Sequence, residues 1–268
     1  MVESLKELNR ICQKPNYRKV GNWVARYFVR DAALPITWVL LHTPVTANQV
    51  TLASLFVALL SLIFYCFSNP AFFFLSALLL QFWYILDHVD GQIARYRKTS
   101  SLSGRFFDFV MHHIVHGSLL FAMSFYCYSQ TGAVFYLLWG FAAALSILAF
   151  NMAHDVKYKT FFEELRKNPA SFQIQAEHET EFIKTSSSPK PNLKTAFSAL
   201  HKLCEIHIMM SILTLTSVLQ FLFPLDLRFV LFAFYGNAVI LIAVVRLTYL
   251  IHNKKIDEEF KSMFSKRL

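Results

Sequence analysis

Between Ala32 and Leu86 the chain runs 55 residues without one Asp, Glu, Lys or Arg, and from Phe109 to His154 it does so again for 46. A membrane-crossing helix needs about 20 predominantly apolar residues, so each stretch is long enough for two. The rest of the composition agrees: 55% hydrophobic, 16% aromatic, mean hydropathy +0.41. A soluble domain of 268 residues cannot easily bury that much apolar surface. The expected fold is all-α and integral to a membrane. The formal net charge of +9 then speaks of orientation and lipid headgroups rather than nucleic acid, since no basic-aromatic module accompanies it. Cys12, Cys66, Cys127 and Cys204 are scattered and form no CxxC pair, which argues against a disulfide framework and a thiolate zinc site. The first 19 residues carry no apolar core behind their charges, so no signal peptide is expected.

Six spans are predicted, at about 47–67, 71–95, 105–128, 132–153, 206–223 and 229–252. Turns at Ser68-Asn69-Pro70, Ser129-Gln130-Thr131-Gly132 and Pro224-Leu225-Asp226 separate them. Three regions result: 1–46, a cytoplasmic N-terminus with an interfacial helix; 47–252, the six-helix unit; and 253–268, a tail. Tyr17 to Arg30 mixes basic and apolar residues as an interfacial amphipathic helix does. Residues 32–42 are too short to span, and Pro35 and Pro44 are expected to interrupt a longer helix. Residues 154–204 read as a long polar segment. It contains a linker around Ser186–Pro191 and a final amphipathic helix from Leu193 to Ile206.

Of 26 Lys and Arg residues, 25 lie in the N-terminal region, the 95–105 loop, the 154–204 segment or the stretch from Arg246 onward. Arg228 alone falls on the other side. The positive-inside rule therefore places both termini and the 95–105 loop in the cytoplasm.

At that same side stand Asp87, Asp90 and Asp108. On a helix, Asp87, Asp90, Gly91 and Ala94 share one face; on the next, Gly104, Asp108, His112 and His116 form an i, i+4 stripe. The short loop between them implies antiparallel neighbours whose faces meet. Three carboxylates at a membrane helix end are unfavourable unless a cation offsets them, and hard oxygen ligands favour Mg²⁺, Mn²⁺ or Ca²⁺. Gly91 and Ala94 leave room for a bulky ligand. Arg95 and Arg105, bracketing the loop, suit anionic oxygens.

The string Asp87-x2-Asp90-Gly91-x2-Ala94-Arg95-x8-Gly104-x3-Asp108-x3-His112 resembles the signature of the CDP-alcohol phosphotransferase family, D-x2-D-G-x2-A-R-x8-G-x3-D-x3-D. Every fixed position matches except the last, where His112 replaces an acid. The entry to the first span, Thr43 to Thr51, is similar to the family's as well. The resemblance implies transfer of a substituted phosphate from a CDP-linked donor to an alcohol acceptor, with release of CMP, in phospholipid biosynthesis. One substrate is normally a lipid, drawn from the membrane. It further implies that Asp87, Asp90 and Asp108 hold divalent metal, Mg²⁺ or Mn²⁺, on the donor pyrophosphate. Gly91, Ala94, Asn48 and Thr51 would lie near the cytidine monophosphate part, with Arg95, Gly104 and Arg105 in the same donor region. A second copy of the chain is a candidate partner.

In the family the fourth acid is proposed as the base that activates the hydroxyl. A neutral imidazole suits that task at cytosolic pH, so His112 is expected to be catalytic; a packing histidine is the plainer alternative. His113 points away from Asp108 and reads as structural, His116 as a candidate to orient His112, and Arg246 as snorkelling to the interface. Two other functions compete: a cation- or proton-coupled transporter, and a relative that keeps the fold without turnover. Against the transporter, the acids sit at one end, and spans five and six offer only His207, Asn237 and Arg246 as relay groups.

Overall fold

The computed structural model describes residues 2–13, 17–19, 22–167, 172–174 and 193–266. Helices dominate it: α1 (Leu5–Cys12), α2 (Arg30–Leu41), α3 (Ala47–Tyr65), α4 (Pro70–Tyr96), α5 (Leu102–Thr131), α6 (Phe135–Lys167), α7 (Leu193–Leu203), α8 (Ile206–Leu222), α9 (Arg228–His252) and α10 (Lys255–Met263). Five of them, α3, α4, α5, α6 and α9, are long and apolar enough to cross a membrane. Helices α7 and α8, bent by 65° at a short break, make a sixth span if taken together. The protein is an all-α integral membrane fold.

Helix ends are set by local chemistry. Thr46 and Gln49 form a reciprocal capping box that starts α3, with Gln49 N donating to Thr46 Oγ1 at 3.3 Å and Thr46 N to Gln49 Oε1 at 2.8 Å. Asn69 caps α4 with Pro70 in its first turn, Ser101 caps α5, and Gly132 ends α5 at φ 69°, a left-handed conformation that glycine adopts without strain.

Several expectations need correction. Pro35 lies inside α2 rather than ending it. A π-helical turn, Ala25–Val29, leads into that helix, and α2 is anchored on α4: buried Thr37 donates to Gln92 Oε1 at 2.6 Å, and Gln92 Nε2 donates to the Arg30 carbonyl at 3.0 Å. These bonds, on either side of Pro35, hold α2 against α4 across the proline. Within the stretch read as one amphipathic helix, Tyr17–Lys19 form a turn and helix begins only at Trp23. Helix α1 was not anticipated; a Ser4–Glu7 capping box starts it, and Leu8 and Cys12 are fully buried against α2 and α4. The polar segment from 154 opens as fourteen more residues of α6, because nothing in it stops a helix and pairs such as Lys167–Glu164 (3.1 Å) support one. Phe161 on that extension packs against Phe260 and Phe264 of the C-terminal region, and Lys157 pairs with Glu259 at 2.6 Å. A two-stranded antiparallel ladder joins Phe172–Ile174 to Phe264–Lys266. The Ser186–Pro191 linker lies outside the described residues; the helix expected from Leu193 is α7.

The main core lies among α3, α4, α5, α6, α8 and α9, with Trp83, Tyr65, Tyr235 and Phe232 wholly buried. A smaller cluster joins α1 and α2 to α3 and α4 beneath the motif. Helix α3 packs closely on both α4 and α5, whereas α4 and α5 are not themselves a closely packed pair. The two motif helices are thus antiparallel neighbours separated by a gap, which side chains reach across.

Candidate metal and donor site

Across that gap Asp87 on α4 meets Asp108 and His112 on α5. His112 Nε2 lies 2.8 Å from Asp87 Oδ1 and 3.4 Å from Asp108 Oδ1. One ligand atom from each of the three residues falls within 4.8 Å of the other two. Trp83, one turn before Asp87, holds the His112 ring edge-on at 5.4 Å between centroids. His88 stands beside the group, its Nδ1 3.0 Å from the Tyr84 carbonyl and 3.6 Å from Asp87 Oδ2.

Asp90 belongs to the same face but turns toward α3. Buried Thr51 donates to its Oδ2 at 2.5 Å, which leaves the other carboxylate oxygen outside that bond. The donor chemistry fits a divalent cation: two carboxylates and an imidazole converge, a third carboxylate adjoins them, and no Lys or Arg ion pair to Asp87, Asp90 or Asp108 occurs among the described residues.

The remaining candidates divide. Asn48, at the start of α3, is brought to Gly104, where a Cβ would lie 3.5 Å from Asn48 Oδ1 and 3.2 Å from Ser101 Oγ. The start of α5 thus lies against the start of α3, and the tighter of the two approaches is to Ser101 of its own cap. The space left by Gly91 is taken by Arg95, whose Nη1 would lie 3.1 Å from a Cβ there. Arg95 Nε donates to the Cys12 carbonyl at the end of α1, so this arginine, expected on anionic oxygens, is engaged by the first helix. Ala94 is half-buried on α4, and Arg105 is exposed at the start of α5.

Sequence reasoning missed Arg97, whose guanidinium donates to the Thr43 and Val45 carbonyls at 2.7 and 2.6 Å and clamps the turn between α2 and α3. It also missed Trp83, although its i−4 spacing from Asp87 was a usable signal. His113 Nδ1 lies 2.5 Å from the Phe109 carbonyl, a local contact on its own helix. A cavity of about 800 Å³ adjoins His112 between α5, α6, α7 and α9, lined also by His116, His154, Lys157, His201 and Arg246. Arg246 thus borders a cavity, and His116 faces it and a smaller one of about 290 Å³.

Residues 44–177, which contain every motif position, match the family model described as CDP-alcohol phosphatidyltransferase. The chain is also similar to a protein of Thermococcus kodakarensis (strain ATCC BAA-918 / JCM 12380 / KOD1) named Bifunctional IPC transferase and DIPP synthase. The two are 26% identical over 159 residues, 59% of this chain and 34% of that protein, so the match spans about a third of the relative's length.

Proposed function

We propose, starting from the fact that this chain belongs to the CDP-alcohol phosphatidyltransferase family, that it transfers a substituted phosphate from a CDP-linked donor to an alcohol and releases CMP. The observation that carries the reading is the meeting of Asp87, Asp108 and His112 across two helices, with Asp90 adjoining. Asp87, Asp90 and Asp108 would hold Mg²⁺ or Mn²⁺. A bound divalent ion would supply charge stabilisation to the two phosphates as the anhydride bond between them breaks.

The chain's own groups do the positioning. Thr51 fixes one oxygen of Asp90, so the carboxylate presents the other. Trp83 restrains the imidazole of His112. Asn48 and Gly104 lie together at the entries of α3 and α5, and Ala94 on α4 and Arg105 on α5 are further proposed donor contacts. The cavity beside His112, bordered by apolar Phe150 and Phe197 as well as Lys157 and Arg246, suits an amphiphilic substrate. In the transfer the acceptor oxygen bonds to the phosphorus of the substituted phosphate, the anhydride P–O bond to the CMP phosphate breaks, the hydroxyl proton passes to water, and CMP departs. His112 Nε2 is turned onto two carboxylates, which supports a place among them rather than the proton-accepting role expected from sequence. The asymmetry of Lys and Arg supports a cytoplasmic site and cytoplasmic termini.

The test is CMP release by purified protein with divalent ion, across two donor-acceptor types: CDP-diacylglycerol with polar alcohols, and CDP-linked headgroups with diacylglycerol. Release with one type identifies which partner is the lipid. Donor binding with no release across both types would instead identify a relative without turnover.

A further inference from the structure

Resting on that reading of the site, we infer that His112 is itself a metal ligand through Nε2, so that the chain holds its cation in a mixed oxygen and nitrogen site that prefers Mn²⁺ to Mg²⁺. A base must face the hydroxyl it deprotonates. His112 Nε2 faces the acids instead, at 2.8 Å from an oxygen of α4 and 3.4 Å from one of α5. A single nitrogen aimed between carboxylates of two helices is the arrangement of one more donor in a shared coordination set. Asp87, Asp108 and His112 each bring an atom to within 4.8 Å of the rest. The edge-on contact with Trp83 keeps the ring from turning away, as pre-organised ligands require.

The chemical consequence follows from ligand type. Mg²⁺ binds hard oxygen and tolerates imidazole poorly, while Mn²⁺ and the later divalent ions of the first transition row accept it. Putting a neutral imidazole where the family signature has a carboxylate also makes the assembled site one unit less negative. That weakens the purely electrostatic hold on which Mg²⁺ depends.

Pulsed electron paramagnetic resonance on the Mn²⁺-loaded full-length protein reads the ligand directly, without turnover. The wild type is expected to show ¹⁴N coupling of a bound imidazole. His112→Asp should bind Mn²⁺ without that coupling and lose about tenfold or more of the Mn²⁺-over-Mg²⁺ preference, a scale at which even outer-sphere partners change affinity. His88→Gln should leave the coupling in place, which separates His112 from the other nearby imidazole. Mn²⁺ bound with no nitrogen coupling in the wild type overturns the inference, and so does coupling that persists in His112→Asp. Should His112→Asp not fold, His112→Gln serves the same comparison. CMP release alongside bound Mn²⁺ that lacks nitrogen coupling rejects the histidine ligand and leaves the proposed function standing. Failure of the protein to bind any divalent ion rejects both.

Discussion

Two groups of charged side chains sit at opposite ends of the same bundle, and they differ in how completely they are satisfied. At the end away from the motif, Arg228 is wholly buried. Its Nε and Nη2 donate to Asp226 at 3.0 and 2.7 Å, and Nη1 and Nη2 donate to the Phe67 and Ser68 carbonyls at 2.7 and 3.1 Å. The Tyr126 ring lies 3.6 Å from its guanidinium carbon. Those carbonyls follow the last turn of α3, so Arg228 ties three helices and the α8–α9 turn together. Nothing is left over for a ligand. At the motif end three carboxylates share one hydroxyl, Thr51, and two imidazoles, His112 and the more distant His88 at 3.6 Å. A saturated buried charge is a structural tie; an undersupplied set of acids is a place for a cation.

The sharpest way to break this contrast is to remove one member from each end. Asp87→Ala or Asp108→Ala should cut CMP release on the order of 10³-fold, since the metal is expected to supply several kcal/mol of transition-state stabilisation. Metal-free thermal stability should be unchanged or raised, because like charges are relieved. Arg228→Ala should do the reverse, destabilising by about 3–5 kcal/mol by leaving Asp226 and the carbonyls unpaired. Yield and melting temperature in detergent measure it, and whatever folds should turn over near-normally. A stable but inactive Arg228→Ala would erase the distinction between the two ends.

A smaller effect sharpens the motif end alone. Thr51→Val should lower kcat/KM roughly tenfold, the worth of about 1.5 kcal/mol for a hydrogen bond to a charged group. An unchanged value would show that the orientation of Asp90 does not matter. Smallest of all, Gly132→Ala should cost about 1 kcal/mol of stability at the left-handed end of α5 and leave CMP release untouched.

Much of this was legible before the structure. Charge-free runs and the turn residues Asn69-Pro70 and Gly132 marked helix ends near where they fall, because those signals are local. The spacing of Asp87, Asp108 and His112 brought them together as the helical period implies. What stayed hidden depends on contacts distant in sequence. Arg95 finds the Cys12 carbonyl 83 residues away, and Arg228 finds Phe67 at a separation of 161. In sequence, Arg228 was only an exception to a charge count. The gap between α4 and α5 was equally hidden: a short loop implies neighbours, but only the insertion of α3 against both decides how far apart they stand. Pro35 misled for the same reason, since Gln92 and Thr37 lend α2 a support no local rule contains.

The claim that the motif end is an undersupplied acid site built to take a cation and a CDP-linked donor together can be tested by titrating purified protein with CDP, with and without Mg²⁺ or Mn²⁺. The account predicts saturable binding only when the divalent ion is present, lost in Asp87→Ala and Asp108→Ala but kept in folded Arg228→Ala. Equal binding of CDP in the presence of chelator, or undiminished binding by the aspartate variants, would contradict it.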